Sequence, residues 1–205
     1  DVSLVGSEMC IRDRDTSMEI LAGLNPSFEM MGSMAFDDII LSKYNKLEKI
    51  SHVHTPGNSS GIVDGASAVL IGSQKAGQDL NLKARGRIIA GAILASDPVI
   101  MLTGPGPSAK KCLKTAGLKT TDVDLWEINE AFASVPLRYM NDLEIDYSVT
   151  NVNGGAIAMG HPLGATGAVL VSTMLDELER RDLNIGMMSL CVGGGMGISC
   201  LIERV

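Results

Sequence analysis

Three polar side chains stand where chemistry is easiest to arrange: Asn129 in WEINEAF (126–132), His161 in NVNGGAIAMGHPLGATG (151–167) and Cys191 in CVGGGMG (191–197). An amide can hold a water or an oxygen, an imidazole can move a proton or polarise a carbonyl, and a thiol can act as acid, base or nucleophile. Taken singly, each has a plainer reading. Asn129 suits a helix N-cap, a lone histidine beside a proline is most often a satisfied structural residue, and a lone cysteine in an apolar run is usually a small core hydrophobe. What they share is position: each stands at a strand or loop end, followed by glycines or helix formers. Pro162 biases His161 toward extended backbone, and Gly160 and Gly164 allow close approach, so the imidazole is presented rather than buried. Cys191 sits where the apolar run Met187–Val192 meets bare glycine amides, a setting for a thiolate facing an anion pocket. In an open α/β sheet such strand ends collect at one rim, where ligands bind.

The elements that must position these groups alternate. Hydrophobic periodicity predicts a strand over Ala84–Leu94, a GPGP loop at 104–107, and a helix Ser108–Ala116 closed by Gly117. A strand Val123–Ile128 and a helix Glu130–Met140 follow, the helix kinked because Pro136 cannot bond the Phe132 carbonyl. Next come a strand Val149–Val152, the histidine loop, a helix to Arg181 with Ala168, Val171, Leu175 and Leu178 as its apolar face, and strands Ile185–Val192 and Gly197–Glu203. This is the order of an α/β layered fold. Upstream, residues 15–54 read as an irregular region with one helix, roughly Ala35–Leu47; Met30, Met31 and Met34 read there as core. Gly57–Gly61 then turns into a predicted helix Ile62–Gln74, with Asn58, Ser59 and Ser60 as capping candidates at a helix start that can hold a phosphate or an amide. A boundary falls at Gln78–Leu82.

Composition narrows the class. The 205 residues are 45% hydrophobic, enough for a proper core, and the formal charge of −7 with 3% aromatics points away from nucleic-acid partners. Four cysteines at 10, 112, 191 and 200 form no CxxC pair, so reduced thiols are expected; His52 and His54 lack a third ligand, so no metal is expected. Tyr147–Leu175 and Ile185–Ile202 are free of charged residues but punctured by glycines, and read as core rather than membrane spans. Val2–Arg14 shows no period and resembles translated adapter sequence found at the tips of proteins from short-read assemblies; with Met9 and Cys10 it is set aside from fold reasoning, and no secretory signal is left.

NEAFA at 129–133, NVNGGAIAMGHPLGATGA at 151–168 and CVGGGMG at 191–197 resemble, in this order, the three C-terminal signatures of the thiolases. TPGNSSGIVDGASAV at 55–69 is similar to the family's coenzyme-A-side motif, with Pro56 where the family usually has alanine. The likeness runs from about Leu21 to Val205. It implies a thiolase-like layered α/β fold: the end of the N-terminal domain with part of its loop domain over 15–82, and the complete C-terminal domain over 83–205, residues 1–14 standing apart. In that loop domain the three methionines have a second reading, as lining of a pantetheine tunnel. The resemblance further implies an acyl-CoA acyltransferase, either cleaving 3-ketoacyl-CoA with coenzyme A to acetyl-CoA and a shortened acyl-CoA, or condensing two acetyl-CoA.

By the same resemblance Cys191 is the acid/base, His161 polarises a thioester oxygen, Asn129 holds the water of the first oxyanion hole, the Gly193 amide joins a second, and Ser60 contacts coenzyme A. Coenzyme A is substrate, and no cofactor or metal is implied. The partners are acyl-CoA and coenzyme A, with neither nucleic acid nor membrane, and the parent protein is expected to be a cytoplasmic homodimer or homotetramer. No segment matches the family's acylated cysteine, and Cys112, in the helical KKCLKTAG, is a poor substitute. The expectation is therefore a fragment that does not complete the cycle alone, with a non-catalytic acyl-CoA-binding relative as the alternative. A dinucleotide-binding oxidoreductase is disfavoured, because GGGMGIS at 193–199 leads into a strand and no GxGxxG opens a helix.

Overall fold

A computed structural model describes residues 16–205; Met9, Cys10 and the rest of the adapter-like tip lie outside the described residues. Its centre is a four-stranded mixed sheet of β1 (Gly86–Ala95), β2 (Leu125–Ile128), β3 (Ile185–Val192) and β4 (Met196–Arg204), in the order β1-β4-β3-β2. The β1–β4 and β4–β3 pairs are antiparallel, while β2 pairs parallel to β3 with Leu125 opposite Gly186 and Ile128 opposite Ser189.

Alternation along the strands divides the core in two, because successive side chains of a strand face opposite ways. Trp126, Ile128, Met187 and Leu201 face helices α1 (Pro105–Ala116) and α2 (Ser134–Leu143), packing on Ala109, Cys112, Leu113, Val135, Tyr139 and Leu143. Leu125, Met188 and Ile202 face α3 (Thr166–Arg181) on the other side, against Leu170, Met174 and Leu178. The buried stripe of α3 is thus Leu170–Met174–Leu178: of the expected face Ala168, Val171, Leu175 and Leu178, Leu178 lies in the stripe and Val171 and Leu175 on its flank.

Several expected elements are placed differently. Residues 62–73 form no helix: Ile62, Leu70 and Ile71 are exposed, and a short segment carrying two glycines has no surface to pack a face against. Instead a short helix runs over Gln74–Asp79. Asn58 does cap, but across a single 3-10 turn, where its side chain accepts from the Thr55 amide and the Thr55 hydroxyl from the Gly57 amide. Pro136 produces no kink, because α2 begins at Ser134 and the proline lies in the first turn, where its missing N–H has no partner to lose. The strand expected at Val149–Val152 is a 3-10 turn, Tyr147–Val149, followed by one bridge from Thr150 to Trp126. Upstream, a helix covers Asp37–Lys43. Met30, Met31 and Met34 are not core: they are 70%, 46% and 67% exposed. His52 bonds Asp37 at 3.0 Å and His54 bonds Ser134 at 2.9 Å, each histidine engaged with a different partner.

Two glycines let α1 begin directly on β4. A Cβ at Gly197 would lie inside van der Waals contact of the Gly104 backbone, and one at Gly104 would strike Met196 and Gly197 in return. Neither neighbour is a side chain that can swing away. Gly197→Ala is therefore expected to lower unfolding free energy by about 2–3 kcal/mol or more, whereas Gly193→Ala, with open space at its Cβ, stays within about 1 kcal/mol. Urea unfolding of the two variants checks this, and equal midpoints would contradict the close packing.

Candidate active site

Parallel pairing brings two of the three sequence-derived residues to one rim. Asn129 directly follows β2, its amide donates to the Ser189 carbonyl of β3 at 3.0 Å, and Cys191 stands two residues further along β3. Asn129 extends the strand pairing by one backbone hydrogen bond and is not the N-cap of α2, which starts five residues later.

His161 is brought to Asn129 by a segment that stitches two loops. Residues 58–60 run antiparallel to 131–133, with Ser60 N to Ala131 O at 3.0 Å and Ala133 N to Asn58 O at 2.9 Å. The next residue, Gly61, accepts from the His161 amide at 2.8 Å. Ser60 takes part in this seam, its hydroxyl donating to the Ala131 carbonyl at 3.2 Å; no helix start stands behind it.

The imidazole is held on both nitrogens. Nδ1 lies 2.6 Å from Oγ1 of Thr166, the buried first residue of α3, and Nε2 lies 3.4 Å from Nδ2 of Asn129. Burial pushes the His161 pKa below its ordinary value, so at neutral pH the ring carries a single N–H. If the Thr166 hydroxyl donates to Nδ1, that N–H is on Nε2, and the imidazole and the Asn129 amide present two N–H donors 3.4 Å apart toward a common point. Two donors cannot bond each other; an oxygen that accepts from both resolves the geometry, and this is the arrangement of an oxyanion hole.

Three further residues, Asn151, Glu130 and Asn153, fix the loop around His161. The Asn151 side chain behaves as one more strand residue, accepting from Ile128 N at 2.8 Å and donating to Ile128 O at 2.9 Å. It also donates to Glu130 Oε1 at 2.8 Å, while Glu130 Oε2 accepts from Ile157 N at 3.2 Å, tying residues 151–157 to the end of β2. Asn153 then donates to Glu177 of α3 at 2.8 Å. Thr166, Glu130 and Asn151 escaped the sequence reading; all three lie inside its two motifs, and their polar types beside apolar runs were the available signal.

Cys191 differs from expectation in one respect. Burial pushes its thiol above the ordinary range, against a smaller lowering by its own backbone amide, so it is a neutral thiol rather than a thiolate. It forms part of the rim through strand pairing, and no hydrogen bond joins it to His161 or Asn129. The glycine turn after it has positive φ at Gly194 and Gly195, and the Gly195 carbonyl accepts from Ser96 N at 2.6 Å, which anchors the turn to the end of β1. Cys112 lies fully buried in α1 with its thiol pushed up to about 11, an unreactive core residue.

The sequence model described as the thiolase C-terminal domain matches residues 82–204. The chain belongs to the thiolase family. Among thiolases it is 41% identical over 190 residues to the acetyl-CoA acetyltransferase of Allochromatium vinosum, covering 93% of this chain and 43% of that one. It is also 41% identical over 194 residues to the 3-ketoacyl-CoA thiolase of Serratia proteamaculans, covering 93% and 45%. Its fold matches the human mitochondrial 3-ketoacyl-CoA thiolase crystallised with CoA at a TM-score of 0.79 and 39% identity, over 93% of this chain and 43% of that one. The chain thus spans less than half the length of these thiolases. Among the described residues, no helix is long and apolar enough to cross a membrane.

The Nε2–H assignment predicts that imidazole 15N shifts at pH 7.5 show the His161 proton on Nε2, and that Thr166→Val, which deletes the hydroxyl donor, moves a large share of it to Nδ1. An unchanged tautomer in Thr166→Val would contradict the role given to Thr166.

Proposed function

We propose that this chain supplies the acid/base and oxyanion-stabilising groups of a longer thiolase, which cleaves 3-ketoacyl-CoA with coenzyme A or runs the reverse condensation. The observation that carries the reading is the pair of nitrogens, His161 Nε2 and Asn129 Nδ2, 3.4 Å apart with Thr166 2.6 Å from the far side of the ring. In the cleavage direction, a cysteine thiolate from outside the described residues attacks the 3-keto carbonyl and the bond between C2 and C3 breaks. Its electron pair moves onto the departing acetyl-CoA as an enolate. The enolate oxygen accepts from His161 Nε2–H and from a water held by Asn129, and Cys191 gives its thiol proton to the α-carbon. The neutral state of buried Cys191 suits that proton donation. The resulting thiolate then takes the proton of the incoming coenzyme A thiol, which accepts the acyl group from the nucleophile and restores both cysteines.

In this reading the Gly193 amide serves the acyl-enzyme carbonyl and Ser60 lies along the coenzyme A. Coenzyme A and acyl-CoA are the partners, with no resident cofactor. The longer protein is a homodimer or homotetramer of the cytoplasm, where the free thiols Cys112, Cys191 and Cys200 stay reduced.

The test is acetoacetyl-CoA cleavage by residues 16–205 joined to the N-terminal half of the Allochromatium vinosum relative. Turnover is expected, falling on the order of 100-fold or more in His161→Ala and Cys191→Ala, with none from the chain alone. Cleavage by the chain alone that disappears in Cys112→Ala would overturn the assignment, and coenzyme A binding by the joined protein without turnover would favour a non-catalytic acyl-CoA-binding relative.

A further inference from the structure

The turn between β3 and β4 is three glycines, Gly193–Gly195, and only Val192 separates it from Cys191. Three glycines in a row hold no shape of their own, because glycine gives up more backbone freedom on ordering than any other residue. Gly193 and Gly194 have open space where a Cβ would stand, so nothing packs the first two residues of the turn into place. The turn is held at Gly195. Its carbonyl accepts from Ser96 N at 2.6 Å and from Ser96 Oγ at 2.8 Å, and a Cβ on it would lie 2.7 Å from the Asp97 carbonyl oxygen. The position of the turn is therefore set by Ser96 and Asp97, the first two residues after β1.

The Asp97 carboxylate anchors that pair to a distant part of the chain. Oδ1 accepts from Val99 N at 3.0 Å and from Lys43 Nζ, and Oδ2 accepts from the Tyr44 hydroxyl. Lys43 is the last residue of the helix Asp37–Lys43 and Tyr44 its C-cap, so both side-chain donors come from the upstream segment, 54 and 53 positions earlier. That helix is tied down at its other end by the bond from His52 to Asp37. The hydrogen bond from Lys43, then those from Tyr44 and Val99 N, hold Asp97 at a pKa of about 2, so the carboxylate is charged throughout the neutral range.

We infer that Asp97 is a positioning residue: clasped by Lys43 and Tyr44, it fixes the glycine turn and with it the Gly193 amide. The consequence for catalysis rests on the thiolase reading, in which that amide serves the acyl-enzyme carbonyl; the clasp itself does not. Cys191 is held independently, by its pairing with Gly197 in the β3–β4 ladder. His161 and Asn129 are held by the Thr166 hydroxyl and the Ser189 carbonyl. Opening the clasp should therefore slow acyl transfer and leave proton transfer at Cys191 in place, whereas a contact that only stabilised the fold would weaken both together.

The test is amide hydrogen exchange in the 205-residue chain, followed by 15N–1H NMR, in the parent and in Lys43→Met/Tyr44→Phe, which removes both donors and keeps their bulk. Exchange at Ser96 N, whose partner is the Gly195 carbonyl, should accelerate on the order of tenfold. Asn129 N, bonded to Ser189 O at the same rim, should exchange as in the parent, and Lys43→Arg alone should keep the parent rate at Ser96. Unchanged exchange at Ser96, or equal acceleration at Asn129, overturns the inference. In the joined protein the double variant should lower kcat for acetoacetyl-CoA cleavage about tenfold with α-proton exchange of acetyl-CoA unmoved; an unchanged kcat, or equal losses in the two reactions, overturns the positioning role. Accelerated Ser96 exchange in a protein that never cleaves upholds the clasp and counts against the thiolase reading, whereas cleavage by a parent whose Ser96 exchange matches the variant's upholds that reading and removes the clasp.

Discussion

Everything at the rim depends on the parallel pairing of β2 with β3. That register puts the end of β2 beside the last third of β3, so Asn129 and Cys191 emerge together although 62 positions separate them in sequence. A parallel pair needs a long crossover, here α2, the 151–165 loops and α3. The crossover is used twice: its helices bury both faces of the sheet, and its loop delivers His161 to the rim. Few backbone hydrogen bonds bind that loop to the sheet. Side chains replace them, with Asn151 acting as a strand residue toward Ile128 and Glu130 holding the amide of Ile157.

The two faces of the rim have opposite characters. Toward α1 and α2 the core is almost wholly apolar, interrupted by a chain of hydroxyls from Ser108 through Ser199 and Ser189 to Tyr139, each 2.7–2.8 Å from the next. Toward α3 the same strand that ends in Asn129 carries Glu127 into the interior. A buried carboxyl costs stability, and burying it neutral is the least costly form. The polar content of this face is concentrated directly behind the amide that the proposed chemistry uses.

Much of this was legible in the sequence. Strands β2, β3 and β4 and helices α1 and α3 followed from apolar periodicity, because each has a real core to face. The Ile62–Gln74 helix failed for the converse reason: its apolar residues are exposed, so periodicity had no burial to report. Pro136 was read one turn too deep, since the helix start is set by where the Asn129–Ala133 backbone leaves its seam with residues 58–60, a long-range contact that no local pattern shows. At the site, Asn129, His161 and Cys191 came from motif and resemblance, and the structure places them at or beside the same strand ends. Thr166 was invisible as the partner of His161, because four intervening residues and a 3-10 turn decide whether the two meet.

The most direct measurement of the central claim is α-proton exchange of acetyl-CoA in D2O, followed by NMR in the joined protein with its nucleophilic cysteine replaced by alanine. That reaction needs only an acid/base and an enolate-stabilising site, which are the parts assigned to this chain. The account predicts methyl exchange well above the uncatalysed rate, lost in Cys191→Ala and strongly reduced in His161→Ala and Asn129→Ala. Exchange that survives Cys191→Ala unchanged, or that is absent while the protein still cleaves acetoacetyl-CoA with its nucleophile restored, would contradict it.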